Sequence, residues 1–171
     1  MVEDNIRKFS KILVAIDGSD NSSQAASLAI DIASKHGSEL LVIHVLNITK
    51  TFQAMGFYGV AHSKALQNYV DEARMEAGLW FEKIKQEAKK VDVNVKTEVI
   101  EGPFSLVAEI VNYAEQNKVD ILIIGSRGRT GFKKLLLGSV AFGVVTYATC
   151  PVMVVKKHML IIILYSNAKH T

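Results

Sequence analysis

Short apolar runs alternate with helical patterns along most of this chain, and this alternation restricts its fold more than any other feature. The runs are KILVAI (11–16), ELLVIHVL (39–46), VNVKTEVI (93–100), VDILIIG (119–125) and PVMVVK (151–156). Apolar runs of this length are typical of strands that are covered on both faces. VNVKTEVI alternates apolar and polar residues, so we expect this strand to lie near an edge of its sheet.

Between the runs, apolar residues recur at helical spacing. The predicted helices cover residues 22–37, about 63–90, 103–117 and 139–149. Ser22 is a candidate N-terminal cap, Gly37 is a candidate C-terminal stop, and Pro103 suits a first helical turn. The irregular segment 47–62 between the second strand and the second helix is apolar, and it is either a lid or a connection or dimer contact.

The resulting order β-α-β-α-β-α-β-α-β predicts an α/β fold. Strands joined by helices form a parallel sheet with right-handed crossovers, so helices cover both faces of an open five-stranded sheet. A length of 171 residues suits a single domain, and 49% hydrophobic residues are enough for its core. We therefore predict one domain over residues 1–157 and a separate tail over 158–171.

Composition excludes several kinds of partner. The net charge of +3 does not favour nucleic acid, and the one cysteine, Cys150, excludes an internal disulfide and a cysteine-based zinc site. No signal peptide is visible at the start, and MLIIIL near the end is too short to span a membrane. We expect a soluble, cytoplasmic protein without membrane contact, and we expect Cys150 to be an inert buried thiol.

Glycine and positive charge follow the fourth predicted strand. The stretch GSRGRTGFKKLLLGS (125–139) holds four glycines and four basic residues, Arg127, Arg129, Lys133 and Lys134. Glycine lets backbone N–H groups approach a ligand, and the helix that starts near Ser139 offers free N–H groups to an anion. If the first and fourth strands are neighbours, this stretch faces Asp17 across one crevice, which predicts a site for a phosphorylated ligand such as a nucleotide.

Other phosphate motifs do not fit. The sequence has no GxGxxG, and no window matches the P-loop pattern GxxxxGK[ST]. A response-regulator receiver shares this order of elements but needs an aspartate after its third strand, where this chain has Glu101-Gly102-Pro103.

The pattern Gly125-x2-Gly128-x9-Gly138-Ser139 resembles the ATP-binding signature of the universal stress protein family. The likeness extends over about residues 9–157, from KILVAIDGSDNSSQAASLAI to TCPVMVVK. It implies the strand order 3-2-1-4-5, and the glycines favour the ATP-binding branch over the branch without bound nucleotide. It also implies ATP with Mg²⁺ held mainly through the phosphates, and a homodimer formed through the last strand.

By the same resemblance, the nucleotide is held by residues that follow the strands and open the last helix. The adenine and ribose side is formed by Ala15, Ile16, Asp17, Val45, Ile124 and Gly125, and the phosphate side by Ser126, Arg127, Gly128, Gly138, Ser139 and Val140. Asp17 is the natural partner of a ribose hydroxyl or, through water, of Mg²⁺.

Each of these residues also has a purely structural interpretation. Asp17 can cap a turn, the glycines can serve a tight turn, and the four basic residues can form a solvated cluster. His44 lies in an apolar strand and is more typical of a hydrogen-bonded core histidine than of a ligand-binding one. The group Met55, Phe57 and Tyr58 is more typical of side-chain packing than of base stacking.

Three functions are compatible with the sequence. The first is an ATP-binding stress protein that acts as a nucleotide-dependent switch towards an unknown protein partner. The second is a slow ATPase, and the third is a dimerisation module that needs no nucleotide. The sequence shows no general base for hydrolysis, which favours the first. The tail HMLIIILYSNAKHT departs from the family pattern, and it either adds a strand, packs on a neighbouring chain or is an artefact.

Overall fold

The computed structural model describes residues 9–47, 64–102, 105–129, 137–156 and 159–163, and strands alternate with helices through these ranges. The strands are β1 (Lys11–Ala15), β2 (Glu39–Asn47), β3 (Val95–Gly102), β4 (Ile121–Gly125), β5 (Val152–Lys156) and β6 (Met159–Ile163). The helices are α1 (Asp20–His36), α2 (Lys64–Lys89), α3 (Leu106–Gln116) and α4 (Ser139–Tyr147).

The strands form one sheet in the order β3-β2-β1-β4-β5-β6. Strands β1 to β5 are parallel, and their order 3-2-1-4-5 confirms the predicted topology. The alternating strand β3 lies at an edge, as its pattern indicated. The central neighbours are β1 and β4, where Ala15 is in register with Ile124.

The core has two layers because successive side chains of a strand point to opposite faces of the sheet. Ile12 and Val14 of β1 pack with α1 and α2, whereas Leu13 and Ala15 pack with α3 and α4. These four side chains are all buried, which explains why β1 shows no polar alternation in the sequence.

Serine caps determine where two helices begin. Ser19 caps α1, because its hydroxyl accepts a hydrogen bond from the Ser22 N–H at 3.2 Å. The predicted cap Ser22 was therefore wrong, and this residue is buried inside the first turn. Gly37 ends α1 with a φ of +62°, in the left-handed conformation that glycine adopts most easily, so the predicted stop is confirmed.

Helix α3 begins at Leu106, later than predicted from Pro103. The Ser105 hydroxyl accepts a hydrogen bond from the Ala108 N–H at 3.2 Å and caps this helix. Among the helices that the structure describes, none is long and apolar enough to cross a membrane.

Strand β6 belongs to the C-terminal tail and pairs with β5 in the antiparallel direction. Val152 is opposite Ile163 and Lys156 is opposite Met159. Both edges of β5 are therefore occupied, by β4 and β6, so a homodimer that pairs through the β5 backbone would require β6 to move away. The homodimer and the division at residue 157 stay predictions.

Cys150 lies in the core layer below α3 and α4. Burial is the largest cause that raises the pKa of its thiol, which keeps this group protonated and unreactive at neutral pH. This environment fits the predicted inert thiol.

Several predictions concern residues that the structure does not describe. They are the lid or contact over 47–62 (apart from Asn47), the group Met55, Phe57 and Tyr58, and the basic residues Lys133 and Lys134.

We expect Ile123→Ala to lower the free energy of unfolding by about 2–5 kcal/mol, because Ile123 is fully buried in the central strand β4. Urea unfolding measures this change. Leu79→Ala on α2 is the control. Leu79 is 74% exposed, so its substitution should change the free energy of unfolding little. Equal losses in the two variants would contradict the described core.

Candidate functional site

Two loops meet at the carboxyl edge of the sheet because β1 and β4 are parallel neighbours. The loop after β1 contains Ile16, Asp17 and Gly18, and the loop after β4 runs through 126–129. In open α/β sheets, ligands bind at this edge and next to the point where the strand order reverses. Here the chain order reverses at β1, which has β2 on one side and β4 on the other.

The Asp17 carboxylate links these two loops. Its Oδ1 accepts hydrogen bonds from the Ser19 N–H at 3.1 Å and from the Ser19 hydroxyl at 2.6 Å. Its Oδ2 accepts a hydrogen bond from the Arg129 N–H at 3.0 Å. Asp17 therefore makes the turn contacts of its structural interpretation and also holds the second loop in place.

A third segment, the start of α4, is attached to the same loops. The Gly138 N–H donates to the Ser126 carbonyl at 2.7 Å, and the Asn21 side chain donates to the Arg127 carbonyl at 3.3 Å. Loop 126–129 is thus held from α1 on one side and from α4 on the other. The contact between Asn21 and Arg127 joins residues that are 106 positions apart in sequence.

The three glycines of the motif are required for different structural reasons. A Cβ on Gly125 would lie 2.9 Å from backbone atoms of Asn21 and Ser22, so Gly125 lets α1 approach β4. A Cβ on Gly128 would collide with the Asp17 carboxylate, and one on Gly138 would lie 3.3 Å from the Ser126 carbonyl oxygen. The absence of a side chain at Gly125 therefore allows the packing of α1, in addition to any role in ligand binding.

Helix α4 begins without a side-chain cap. Its N-cap is Gly138, and the first helical bond runs from the Phe142 N–H to the Gly138 carbonyl at 2.9 Å. The N–H groups of Ser139, Val140 and Ala141 precede that bond and have no acceptor within the helix. These N–H groups and the positive end of the helix dipole favour an anion.

A cavity of about 220 Å³ lies between the three segments. Every predicted site residue lines it except Ser126, whose side chain is fully buried and whose Oγ has no hydrogen-bond partner. The lining also includes Arg129 of the basic stretch, and residues that the sequence did not single out for this site, namely Ser22, His44, Leu106, Ile110 and Ala141. Arg127 lines the cavity, and its Nε is buried without a hydrogen-bond partner.

His44 lines the cavity although the sequence predicted a core histidine. Its Nδ1 lies 2.8 Å from the Ile16 carbonyl oxygen. A carbonyl only accepts, so this contact assigns the proton to Nδ1 and leaves Nε2 without one in the neutral ring. The ring packs edge-on against Trp80 of α2, with the ring centres 5.2 Å apart. His44 is thus hydrogen-bonded, as expected, and also part of the cavity wall.

A second cavity of about 680 Å³ adjoins the first. The two share Asp17, His44, Val45, Leu106 and Arg129, and the second is also lined by Leu46, Tyr69, Glu72, Ala73 and Glu76. Helix α2 therefore forms part of this larger cleft, which no motif in the sequence indicated.

Comparison with known proteins places this geometry in a family. Residues 8–156 match the sequence profile of the universal stress protein family. This chain belongs to that family. Universal stress protein MJ0531 of Methanocaldococcus jannaschii is 37% identical over 150 residues, which are 87% of this chain and 83% of that protein. Universal stress protein YxiE of Bacillus subtilis is 35% identical over 152 residues, which are 86% of this chain and 99% of that protein.

Solved structures share the fold. The structure of MJ0577 from Methanocaldococcus jannaschii has a TM-score of 0.74 at 29% identity and covers 89% of this chain and 99% of that one. A universal stress protein in complex with cAMP has a TM-score of 0.59 at 21% identity, with 87% of this chain and 98% of that chain covered. One from Archaeoglobus fulgidus in complex with dAMP has a TM-score of 0.63 at 22% identity, with 87% and 99% covered.

We expect Gly125→Ala to lower the free energy of unfolding by about 1–3 kcal/mol, because its Cβ would press on the backbone of α1. Thermal or urea unfolding checks this. Gly78→Ala on α2 is the matched control: a Cβ there meets no atom within 4 Å, and alanine favours a helix, so stability should not fall. If Gly125→Ala is as stable as the parent chain, the close approach of α1 is misplaced.

Proposed function

We propose that this universal stress protein binds ATP with Mg²⁺ in the first cavity and acts as a nucleotide-dependent switch. One observation carries the proposal: the uncapped start of α4 and Arg127, whose buried Nε has no hydrogen-bond partner, line the same cavity. Buried polar groups without partners are rare in folded proteins, and these donors suit an anionic ligand.

The apolar part of the cavity suits the base. Ala15, Ile16, Val45 and Ile124 are buried and line it together. Apolar walls with a few polar groups are typical of small-ligand sites. Since such sites measure about 300–1,000 Å³, the nucleotide would extend from the first cavity of about 220 Å³ into the adjoining second cavity. We assign the adenine to these residues.

The polar part suits ribose and phosphates. We assign the phosphates to the backbone of Gly128, Gly138, Ser139 and Val140 and to the Arg127 side chain. Ser126 takes a different role from the predicted contact, because its carbonyl holds Gly138 while its side chain lies outside the cavity lining.

Asp17 would hold Mg²⁺ through water, together with the phosphates. It is the only carboxylate among the described residues that line the first cavity. A carboxylate has about four acceptor positions, so the three hydrogen bonds that Asp17 accepts leave room for a water. Within the described ranges no group of three or more His, Cys, Asp or Glu side chains could hold a metal ion alone.

The family members solved with cAMP and dAMP show that this fold accommodates adenine nucleotides in those proteins. At 21% and 22% identity they are similar to this chain in fold only, so the proposal rests on the cavity residues. The predicted homodimer, the unknown protein partner and slow ATP hydrolysis stay predictions.

Saturating MgATP should raise the melting temperature of the purified chain. A ligand concentration one hundred times Kd raises the free energy of unfolding by about 2.7 kcal/mol, which corresponds to a rise of about 5–10 °C in melting temperature for a chain of this size. Differential scanning fluorimetry measures the shift, and adenine nucleotide released on denaturation provides a second readout. A melting temperature that does not change at millimolar MgATP, with no released nucleotide, would overturn the proposed binding.

Gly128→Val should abolish this shift and leave the melting temperature without ligand nearly unchanged. Gly128 is exposed, and a side chain there displaces only the Asp17 carboxylate from its bond with the Arg129 N–H. Gly78→Val is the control, since its side chain enters open space on α2 and should preserve the ATP-induced shift. An unaltered shift in Gly128→Val would show that this loop does not bind the phosphates.

A further inference from the structure

Arg129 connects the candidate site to α2. Its backbone N–H donates to Asp17 at 3.0 Å, which fixes the residue at the edge of the first cavity. Its side chain lies against α2, with Nη1 3.3 Å from a Glu76 carboxylate oxygen and the guanidinium carbon 5.8 Å from the centre of the Trp80 ring. Arg129 lines both cavities, so this residue borders the space assigned to the nucleotide.

The hold of Glu76 on Arg129 is weak. The Arg129 and Glu76 side chains are 58% and 46% exposed, and a single guanidinium nitrogen makes the contact. Exposed ion pairs of this kind contribute little stability because water screens them. Phosphate oxygens form stronger, often bidentate hydrogen bonds with arginine, so a phosphorylated ligand can take the guanidinium from Glu76.

We propose that Arg129 is a phosphate-binding residue and that Glu76 of α2 competes with the ligand for its guanidinium. This inference rests on the proposed nucleotide binding and deepens it. It assigns the preference for phosphorylated over unphosphorylated ligands partly to Arg129. It also gives a route from the site to α2, because the bound phosphate releases Glu76 and Trp80 from Arg129.

A double-mutant cycle tests the competition. The Kd values for MgATP and for adenosine are measured by calorimetry on the full chain, on Glu76→Gln, on Arg129→Gln and on the double variant. Glu76→Gln should tighten ATP binding about two- to fivefold and leave adenosine unchanged. Arg129→Gln keeps its backbone N–H for Asp17 and should weaken ATP binding about tenfold or more. In the double variant, the Glu76 substitution should no longer improve ATP binding.

Glu72→Gln is the matched control for charge. Glu72 lines the same second cavity, and no ion pair joins it to Arg129 within the described residues. Its substitution removes the same charge, so any change in ATP affinity should be smaller than for Glu76 and should persist without the Arg129 guanidinium. If the Glu72 and Glu76 variants gain equal affinity for ATP, with or without the Arg129 guanidinium, the gain comes from the lost negative charge alone. That result would overturn the proposal.

Trp80 gives an optical readout that does not depend on affinity. It is the single tryptophan of the chain, so its emission reports the contact with Arg129. At saturation, ATP should change this emission more than adenosine does, and Arg129→Gln should remove the difference. An identical difference in parent chain and variant would contradict release from Trp80.

The outcomes separate this inference from the proposed function. If the parent chain binds neither MgATP nor adenosine, the proposed function fails and this inference fails with it. If the parent chain binds MgATP and Arg129→Gln binds it with the same Kd, nucleotide binding stands and the role of Arg129 is refuted.

Discussion

Parallel pairing between β1 and β4 is the constraint on which the rest of this molecule depends. Strand β1 lies inside the sheet, β2 and β3 follow on one side of it, and the chain then returns to the other side of β1 with β4. The register that pairs Ala15 with Ile124 brings Asp17 and loop 126–129 to the same edge. Any other neighbour for β1 would separate the acidic loop from the glycine loop, and no cavity would form between them.

The helix termini show how local chemistry prepares this edge for a ligand. Helices α1 and α3 are capped by Ser19 and Ser105, whose hydroxyls each accept a hydrogen bond from an N–H group of the first turn. The N-cap of helix α4 is Gly138, which has no side chain to accept such a bond. The first three residues of α4, Ser139, Val140 and Ala141, all line the cavity. An anionic ligand would provide there the acceptors that serine provides in the other two helices.

Much of this arrangement was predictable because it follows from local patterns. Strand and helix positions follow from apolar periodicity, and Gly37 ends α1 because a left-handed residue is needed there. The helix starts were predicted less accurately. Ser19 and Ser22 both precede the apolar pattern of α1, and only the fold shows that Ser22 is buried and that Ser19 is the cap. The residues that the family resemblance assigned to the nucleotide all line the cavity except Ser126. The resemblance did not show that Gly125 is needed by α1 itself.

The sequence alone therefore determined the order of the elements, the family and the segments that surround the cavity, since each depends on residues close together in the chain. The tertiary structure decided which distant residues complete the site. Glu76 and Trp80 reach Arg129 only because α2 packs on the same face of the sheet as α1 and forms part of the second cavity. No periodicity or spacing encodes a contact across about fifty residues. The pairing of β6 with β5 is of the same kind, because an apolar run shows that it needs a partner but not which strand edge is free to accept it.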